Sequence, residues 1–259
     1  MKQSQQEIQA RQERLLNHLK LHHSIRVPEA SRLLQVSELT VRRDLEALEK
    51  KNLLHRFHGG ATINQAVTEH EPPLEEKQIQ HESTKLKIAR QAASLIPEGS
   101  TVFLNSGSTT LNTMKYLDNR KVRIITNNSL APSVITSENI DLIITGGECR
   151  SRAKSLVGEH ALLALNAVYA DYCILGVNGI SAAGTTTSVY QETAINEAMV
   201  RRCNGTVIIV ADGSKIGKSK NFMSVPIQDI DILITDTSAD KAALDQLAAT
   251  GIRIILIDD

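Results

Sequence analysis

The run VSELTVRRDLEALEKKNLLHRFHGGA, residues 36–61, gathers Ser37, Thr40, Arg42 and Arg43 within two turns' length of chain, and adds Arg56 and His58 a little further on. A guanidinium is a planar fork of donors that matches paired acceptors, whether on a phosphate or on the edge of a guanine. Serine and threonine hydroxyls bond to either kind of partner. A second group of candidates falls in short turns: Ser106-Gly107-Ser108-Thr109-Thr110, Asn127-Asn128, Gly146-Gly147 and Asn178-Gly179. These are neutral donors and glycines, chemistry suited to holding an anion or sugar-like hydroxyls. Lys215, in ADGSKIGKS, adds a cation, and Glu192, in YQETAINEAMV, a carboxylate.

The elements that must carry the first group are legible from periodicity. Ile8, Leu15, Leu16 and Leu19 fall on roughly one helical face. HHSIRV reads as a turn and short strand. Pro28 opens a second helix with Ala30, Leu33 and Leu34 pointing inward. Ser37 is placed as N-cap of a third, whose apolar positions Val41, Leu45 and Leu48 recur at helical spacing. LLHRFHGGAT follows as a strand and Gly-rich turn. Three helices and a hairpin make a winged helix-turn-helix, whose third helix offers its N-terminal end to base edges in a major groove. Asp44 and Glu46 are expected on flanks away from phosphates, or paired locally with Arg43 and Lys50. Taken alone, RRDLEALEKK equally describes a solvated helix with i,i+4 ion pairs; the cap, the preceding short helix and the wing favour the nucleic-acid reading.

From about residue 83 the pattern changes. TVFLN, VRIIT, DLIIT, YCILGV, TVIIVA, DILIT and IRIILI are short β-branched runs separated by helical stretches, which implies a mostly parallel sheet covered on both faces. The fold class is therefore α/β behind a small winged helix. The expected divisions are 1–62 for the winged helix (helix-turn-helix about 25–44), a polar, Pro-containing linker at 63–82, and an α/β body at 83–259. In open α/β sheets, ligands bind beyond the carboxyl ends of the strands, and three of the polar turns follow predicted strands directly. A Gly-containing strand-to-helix turn also presents free N–H groups and the positive helix end to an anion. Each feature has a plainer role: Ser and Thr cap helices, paired glycines make tight turns, and Lys215, Arg150 and Lys154 suit solvent as well as phosphate.

Charge divides unevenly. Residues 1–62 carry 11 lysines and arginines against 7 acidic residues, while the remainder carries 18 against 22. A basic leading module on an acidic body hints at an anionic polymer as partner. The opening MKQSQQEIQARQER is polar, no run has the length of a bilayer span, and the three cysteines lack metal spacing. We therefore expect a cytoplasmic protein with no membrane association, no metal and no cofactor.

The run 36–61 resembles the helix-turn-helix signature of the DeoR family of bacterial sugar-metabolism repressors, and the similarity extends over nearly the whole chain. It implies a winged helix-turn-helix followed by an α/β sensor domain related to sugar-phosphate isomerases. By that resemblance Ser37, Thr40, Arg42 and Arg43 read double-stranded operator DNA, with Arg56 and His58 on the wing. NSGSTT resembles the family's phosphate-holding loop, TNN and TGG its neighbours, LGVNGI the run bounding a sugar, and GSK the loop aiming Lys215 at the effector. The implied effector is a phosphorylated sugar or polyol, and operator binding implies a homodimer or higher oligomer.

Kinship with isomerases raises an enzymatic alternative, aldose–ketose interconversion or deamination. That chemistry needs a general base, normally a carboxylate. Related enzymes place an acid where this chain has Asn178, which hydrogen-bonds but cannot accept and return a proton as a carboxylate does. The reading is a repressor with no catalytic residues.

Overall fold

The computed structural model describes residues 8, 11–12, 14–16, 18–19, 24–50, 54–57, 59–63 and 73–258. It divides into two compact units, Met1–His70 and Glu71–Asp259.

In the first unit, helical residues between 8 and 19 precede β1 (Ser24–Arg26), α1 (Val27–Leu34), α2 (Glu38–Lys50), β2 (Leu54–Phe57) and β3 (Gly60–Ile63). The strands form one antiparallel sheet in the order β1-β3-β2. Pro28 sits in the first turn of α1, where its missing N–H costs nothing. Leu15, Leu19, Ile25, Ala30, Val41, Leu45, Leu48 and Leu54 pack into one core. Each large side chain there is worth roughly 1.5–3 kcal/mol of burial. Leu33, expected to point inward, is 37% exposed. It stands one residue off the buried stripe of Ala30 and Leu34, and its carbonyl accepts from Arg14.

The second unit is built on a seven-stranded parallel sheet: β4 (Thr101–Leu104), β5 (Val122–Thr126), β6 (Ile140–Ile144), β9 (Ala170–Gly176), β12 (Cys203–Val210), β14 (Ile232–Asp236) and β15 (Arg253–Ile257), in the order β15-β14-β12-β9-β4-β5-β6. Its pleat sorts the β-branched runs onto two faces. Phe103, Ile125, Cys173, Leu175, Val207, Ile209 and Leu233 join one core with residues of α6 (Glu159–Asn166), α7 (Tyr190–Arg201) and α8 (Lys241–Ala248). Val102, Leu104, Ile124, Ile174, Ile208, Val210 and Ile234 join the other, with α4 (Glu82–Ser94) and α5 (Ser108–Leu117). A strand buried on both sides has no polar alternation, which is why these segments read as continuous apolar runs.

From β4 the chain winds outward through β5 and β6, then returns to β9 on the other side of β4. The strand order reverses between β4 and β9, and at such a reversal the connecting segments part to leave a crevice. Two small additions flank it: the hairpin β7 (Glu148–Arg150) and β8 (Ser155–Val157), and the antiparallel sheet of β10 (Gly179–Ser181), β11 (Gly184–Thr187) and β13 (Phe222–Pro226).

The expected linker at 63–82 overlaps ordered structure. Leu74–Ile79 forms a short helix, α3, with Leu74 buried in the second core and its N–H bonded to the Arg152 carbonyl at 2.9 Å. The acidic and proline residues around it hid one buried leucine.

Candidate functional site

In the first unit, α2 begins as the capping residue dictates. Ser37 Oγ accepts from the Thr40 N–H at 3.2 Å and lies 2.9 Å from Thr40 Oγ1. Arg42 is exposed and donates to Glu38 one turn back at 3.1 Å. Arg56, on β2, donates to both oxygens of Glu49: Nε at 2.6 Å and its backbone N–H at 2.9 Å. That pair ties the wing to the helix. Arg43 is exposed and has no partner among the described residues. His58 lies outside the described residues. Arg42, Arg56, Phe57, Gly59 and Gly60 line a groove between α2 and the wing.

The two acids in this helix behave differently from each other. Glu46 pairs with Lys50 at 3.1 Å; that hydrogen bond and charge, with Arg56 behind them, hold its carboxyl below the usual range. Asp44 is not on a flank and does not meet Arg43. It is 3% exposed and accepts from Arg11 Nε at 2.5 Å and Nη2 at 3.1 Å, and from Gln12 at 3.2 Å. It clamps the N-terminal helical residues to α2. Helical spacing explains the difference: Asp44 falls three positions after Val41, on the buried face.

In the second unit, the turns after β4, β5, β6, β9 and β12 all lie at the same end of the parallel sheet. Gly107 is the N-cap of α5, and the N–H groups of the first turn, Ser108 onward, have no intrahelical acceptor. The Ser106 N–H donates to Asn127 Oδ1 at 2.8 Å, joining the β4 and β5 turns. Asn127 Nδ2 donates to the Leu156 carbonyl at 3.0 Å, and Asn128 bridges to Ser155, so the β7–β8 hairpin is held against the β5 turn. Asn128 is fully buried, and its Nδ2 has no partner among the described residues. Gly146 and Gly147 both have positive φ, 69° and 105°. A Cβ on Gly147 would stand 2.4 Å from the Val157 carbonyl, so the hairpin can pass there only over glycine.

Around the hairpin the polar contacts continue. Arg150 Nη1 donates to Glu192 Oε1 at 2.8 Å, Ser155 Oγ to the same oxygen at 3.1 Å, and Thr187 Oγ1 lies 3.3 Å from Glu192 Oε2. Asn178 Oδ1 accepts from Thr187 Oγ1 at 3.1 Å and from the Ser188 N–H at 3.3 Å. Ser106, Asn127, Asn178 and Glu192 thus belong to connected polar contacts around one end of the sheet. Gly179 lets the 211–220 loop approach: a Cβ there would lie 2.4 Å from the Lys218 carbonyl. Lys215 closes a short 3₁₀ turn, Gly213–Lys215, capped by Asp212. Thr110 plays a different part from its neighbours. Its side chain is buried and donates to the Asn105 carbonyl at 2.7 Å, so its hydroxyl stabilises the turn. Ser108 and Thr109 keep hydroxyls without partners among the described residues.

Two further residues carry no sequence motif. Asn105, 4% exposed, spans the reversal point: its Nδ2 donates to the Gly176 carbonyl and to Asn196 Oδ1, and its Oδ1 accepts from the Gly176 N–H at 2.9 Å. Lys85, on α4, is 5% exposed, donates to the carbonyls of Lys77 and Gln80, and is electrostatically coupled to Asp212 and Lys215. Burial pushes its ammonium below the ordinary lysine value; Asp212 opposes this, and Lys215 and Lys77 add to it. An asparagine ending an apolar strand is the faint signal for the first. Lys85 sits in ESTKLKIAR like any surface lysine. Cys149 is exposed, whereas Cys173 is buried in the core, which pushes its thiol well up. Among the described residues, no helix is long and apolar enough to cross a membrane, and no group of His, Cys, Asp and Glu could hold a metal ion.

Comparison with known proteins agrees with both halves. Residues 11–67 match the DeoR-like helix-turn-helix domain, and residues 80–237 the DeoR C terminal sensor domain. The chain is 32% identical over 248 residues to the HTH-type transcriptional repressor GlcR of Bacillus subtilis, covering 94% of each chain. It is likewise 32% identical over 224 residues to the Glycerol-3-phosphate regulon repressor of Escherichia coli, covering 85% of this chain and 88% of that one. A ribose 5-phosphate isomerase A from Methanocaldococcus jannaschii overlaps 52% of this chain and 54% of its own at 19% identity and a TM-score of 0.36, an overlap that carries no argument about chemistry. A capped recognition helix with its wing, followed by a seven-stranded α/β body over nearly the full length of known repressors, places this chain in the DeoR family, whose members are DNA-binding transcriptional regulators and not enzymes.

Proposed function

We propose that this protein represses an operon for uptake or breakdown of a sugar or polyol, and that a phosphorylated sugar or polyol bound at the carboxyl ends of β4, β5, β6 and β9 controls it. The observation that carries the reading is the join between the β4 and β5 turns. There the open first turn of α5, the Ser108 and Thr109 hydroxyls and the Asn128 amide, without a partner among the described residues, offer donors within one region of the strand ends. Donors of this kind at a helix N-terminus suit a phosphate. Asn178 and Glu192, held by Thr187, suit the hydroxyls of a sugar. Lys215 supplies the cation. The name of the E. coli relative, a repressor of a glycerol-3-phosphate regulon, supports a phosphorylated polyol as the class.

Ser37, Thr40, Arg42 and Arg43 on α2, with Arg56 and His58 on the wing, take the operator. One small winged helix covers too few base pairs for specificity, so the operator-bound form is at least a dimer, and it works in the cytoplasm. A ligand shifts such a protein between states only by its differential affinity for them, commonly about 1–3 kcal/mol.

The experiment is a thermal-shift screen of the purified protein against sugar and polyol phosphates, with the free sugars alongside. One phosphate raises the melting temperature and its free sugar does not, because only the folded state binds. The Ser108→Glu variant places a carboxylate against the phosphate and loses that shift while keeping its own melting temperature within a few degrees. Silence across the panel, or an unchanged response in Ser108→Glu, removes this loop from the effector site and leaves it a helix cap.

A further inference from the structure

We infer that Leu39 reads the C5-methyl group of a thymine in the operator's major groove, beside the position occupied by Arg43; this rests on the operator-binding reading above.

The argument starts from which way α2 faces. Val41, Leu45 and Leu48 are no more than 1% exposed and define its inner side. At about 100° per residue, the positions farthest from that side are Leu39, Arg43, Glu46 and Lys50. Glu46 and Lys50 are paired with each other. At the N-terminal end, the end a recognition helix offers to base edges, the apex consists of Leu39 and Arg43. They are one turn apart and therefore neighbours on the surface. Leu39 is 58% exposed, the most exposed large apolar side chain described in this unit. It contributes nothing to the core. Single exposed leucines occur on most surfaces, but this one stands at the apex of a face otherwise built of Ser37, Thr40, Arg43, Glu46, Lys50 and the small, half-buried Ala47. Among the edges that base pairs present in a major groove, the thymine methyl is the apolar one. Covering it removes apolar surface from water on both partners, and a purine or cytosine at that position gives Leu39 nothing to cover.

The test uses the full-length protein and a random double-stranded DNA library, so the operator sequence need not be known beforehand. Tight binders are selected from the library, and each thymine of the selected site is then replaced in turn by deoxyuridine. This keeps the Watson–Crick edge and removes only the methyl. In the wild type one thymine per copy of the site loses about fourfold in affinity on replacement, the equivalent of one buried methyl group. Leu39→Ala weakens binding to the thymine site by a similar factor and is indifferent to that replacement. Because Leu39 is exposed, the variant keeps the wild-type melting temperature. Selection with Leu39→Gln shifts the same position towards adenine, whose N6 and N7 match the glutamine amide. If wild type is indifferent to every methyl, or Leu39→Ala keeps the wild-type methyl dependence, the inference is wrong while operator binding stands. If no sequence is enriched at all, both fall.

Discussion

Arg43 and Asp44 are adjacent in the chain and opposite in role. The aspartate turns inward to hold Arg11 and Gln12, and breaking a buried charge pair of that kind commonly costs several kcal/mol. The arginine turns outward with no partner among the described residues, so under the proposed operator contact its guanidinium would meet DNA without first leaving another group. In the same proposed contact Arg42 would have to give up Glu38, and Arg56 would have to give up Glu49. Arg43→Ala therefore weakens operator binding by about 1–3 kcal/mol, a five- to 150-fold rise in Kd. Arg42→Ala costs measurably less, and both variants keep the effector-induced thermal shift. Fluorescence anisotropy with the selected duplex measures the first effect; equal losses from the two substitutions would show that the Glu38 pair has no bearing on recognition.

Among the elements, the strand-end turns are where backbone geometry decides most. Gly146 and Gly147 are both in the left-handed region, but only Gly147 is also crowded, by the Val157 carbonyl. Gly146→Ala costs about 1 kcal/mol for its φ alone. Gly147→Ala costs clearly more, because β8 must move, and the larger fall in melting temperature belongs to it. A second turn, after β14, carries a pH dependence. Burial alone raises the Asp236 carboxyl, but donation by the Ser238 hydroxyl and by the Gly213 and Ser238 N–H groups outweighs it and holds the carboxyl below its ordinary value. Its folded value thus lies below its unfolded one, near 4. The stability it supplies is complete above the unfolded value and is lost as pH falls through the folded one. Asp236→Asn lowers stability by roughly 2 kcal/mol at neutral pH and flattens the acid side of a melting-temperature profile; a variant profile parallel to wild type down to pH 3 would contradict this.

For the molecule as a whole, the division after His70 separates two chemistries. The basic first module has its own core of Leu15, Leu19, Ile25, Val41 and Leu45. The second unit contains every strand-end turn proposed for the effector. A fragment spanning Glu71–Asp259 accordingly folds and gives the same thermal shift with the active phosphate as full-length protein, within about twofold in Kd. Loss of that shift in a folded fragment would mean that the first unit completes the effector site.

Most of this architecture is written in periodicity. Seven β-branched runs became the seven sheet strands, because burial on both faces leaves such a strand a continuous apolar run, and Val41, Leu45 and Leu48 became the core face of the recognition helix, because burial on one helical face recurs every third and fourth position. The polar turns could be marked as candidates because they follow strand ends, where open α/β sheets bind ligands, but residue type alone does not separate that role from helix capping and tight turns. What needed tertiary structure was every pairing between segments distant in sequence. Asp44 with Arg11, Asn105 with Asn196, Arg150 with Glu192 and Lys85 near Lys215 are separated by 33 to 130 residues, and no local pattern encodes which of several polar groups a buried charge will meet. The helix at Leu74–Ile79 was hidden likewise, since one buried leucine among acids and prolines is too little signal until a core is present to receive it. Composition and spacing determined which residues were candidates to read DNA or hold an anion; only tertiary packing decided which of them are already engaged, as Glu192 is by Arg150 and Asn127 by the Leu156 carbonyl, because such partners meet through the fold and not through neighbouring sequence.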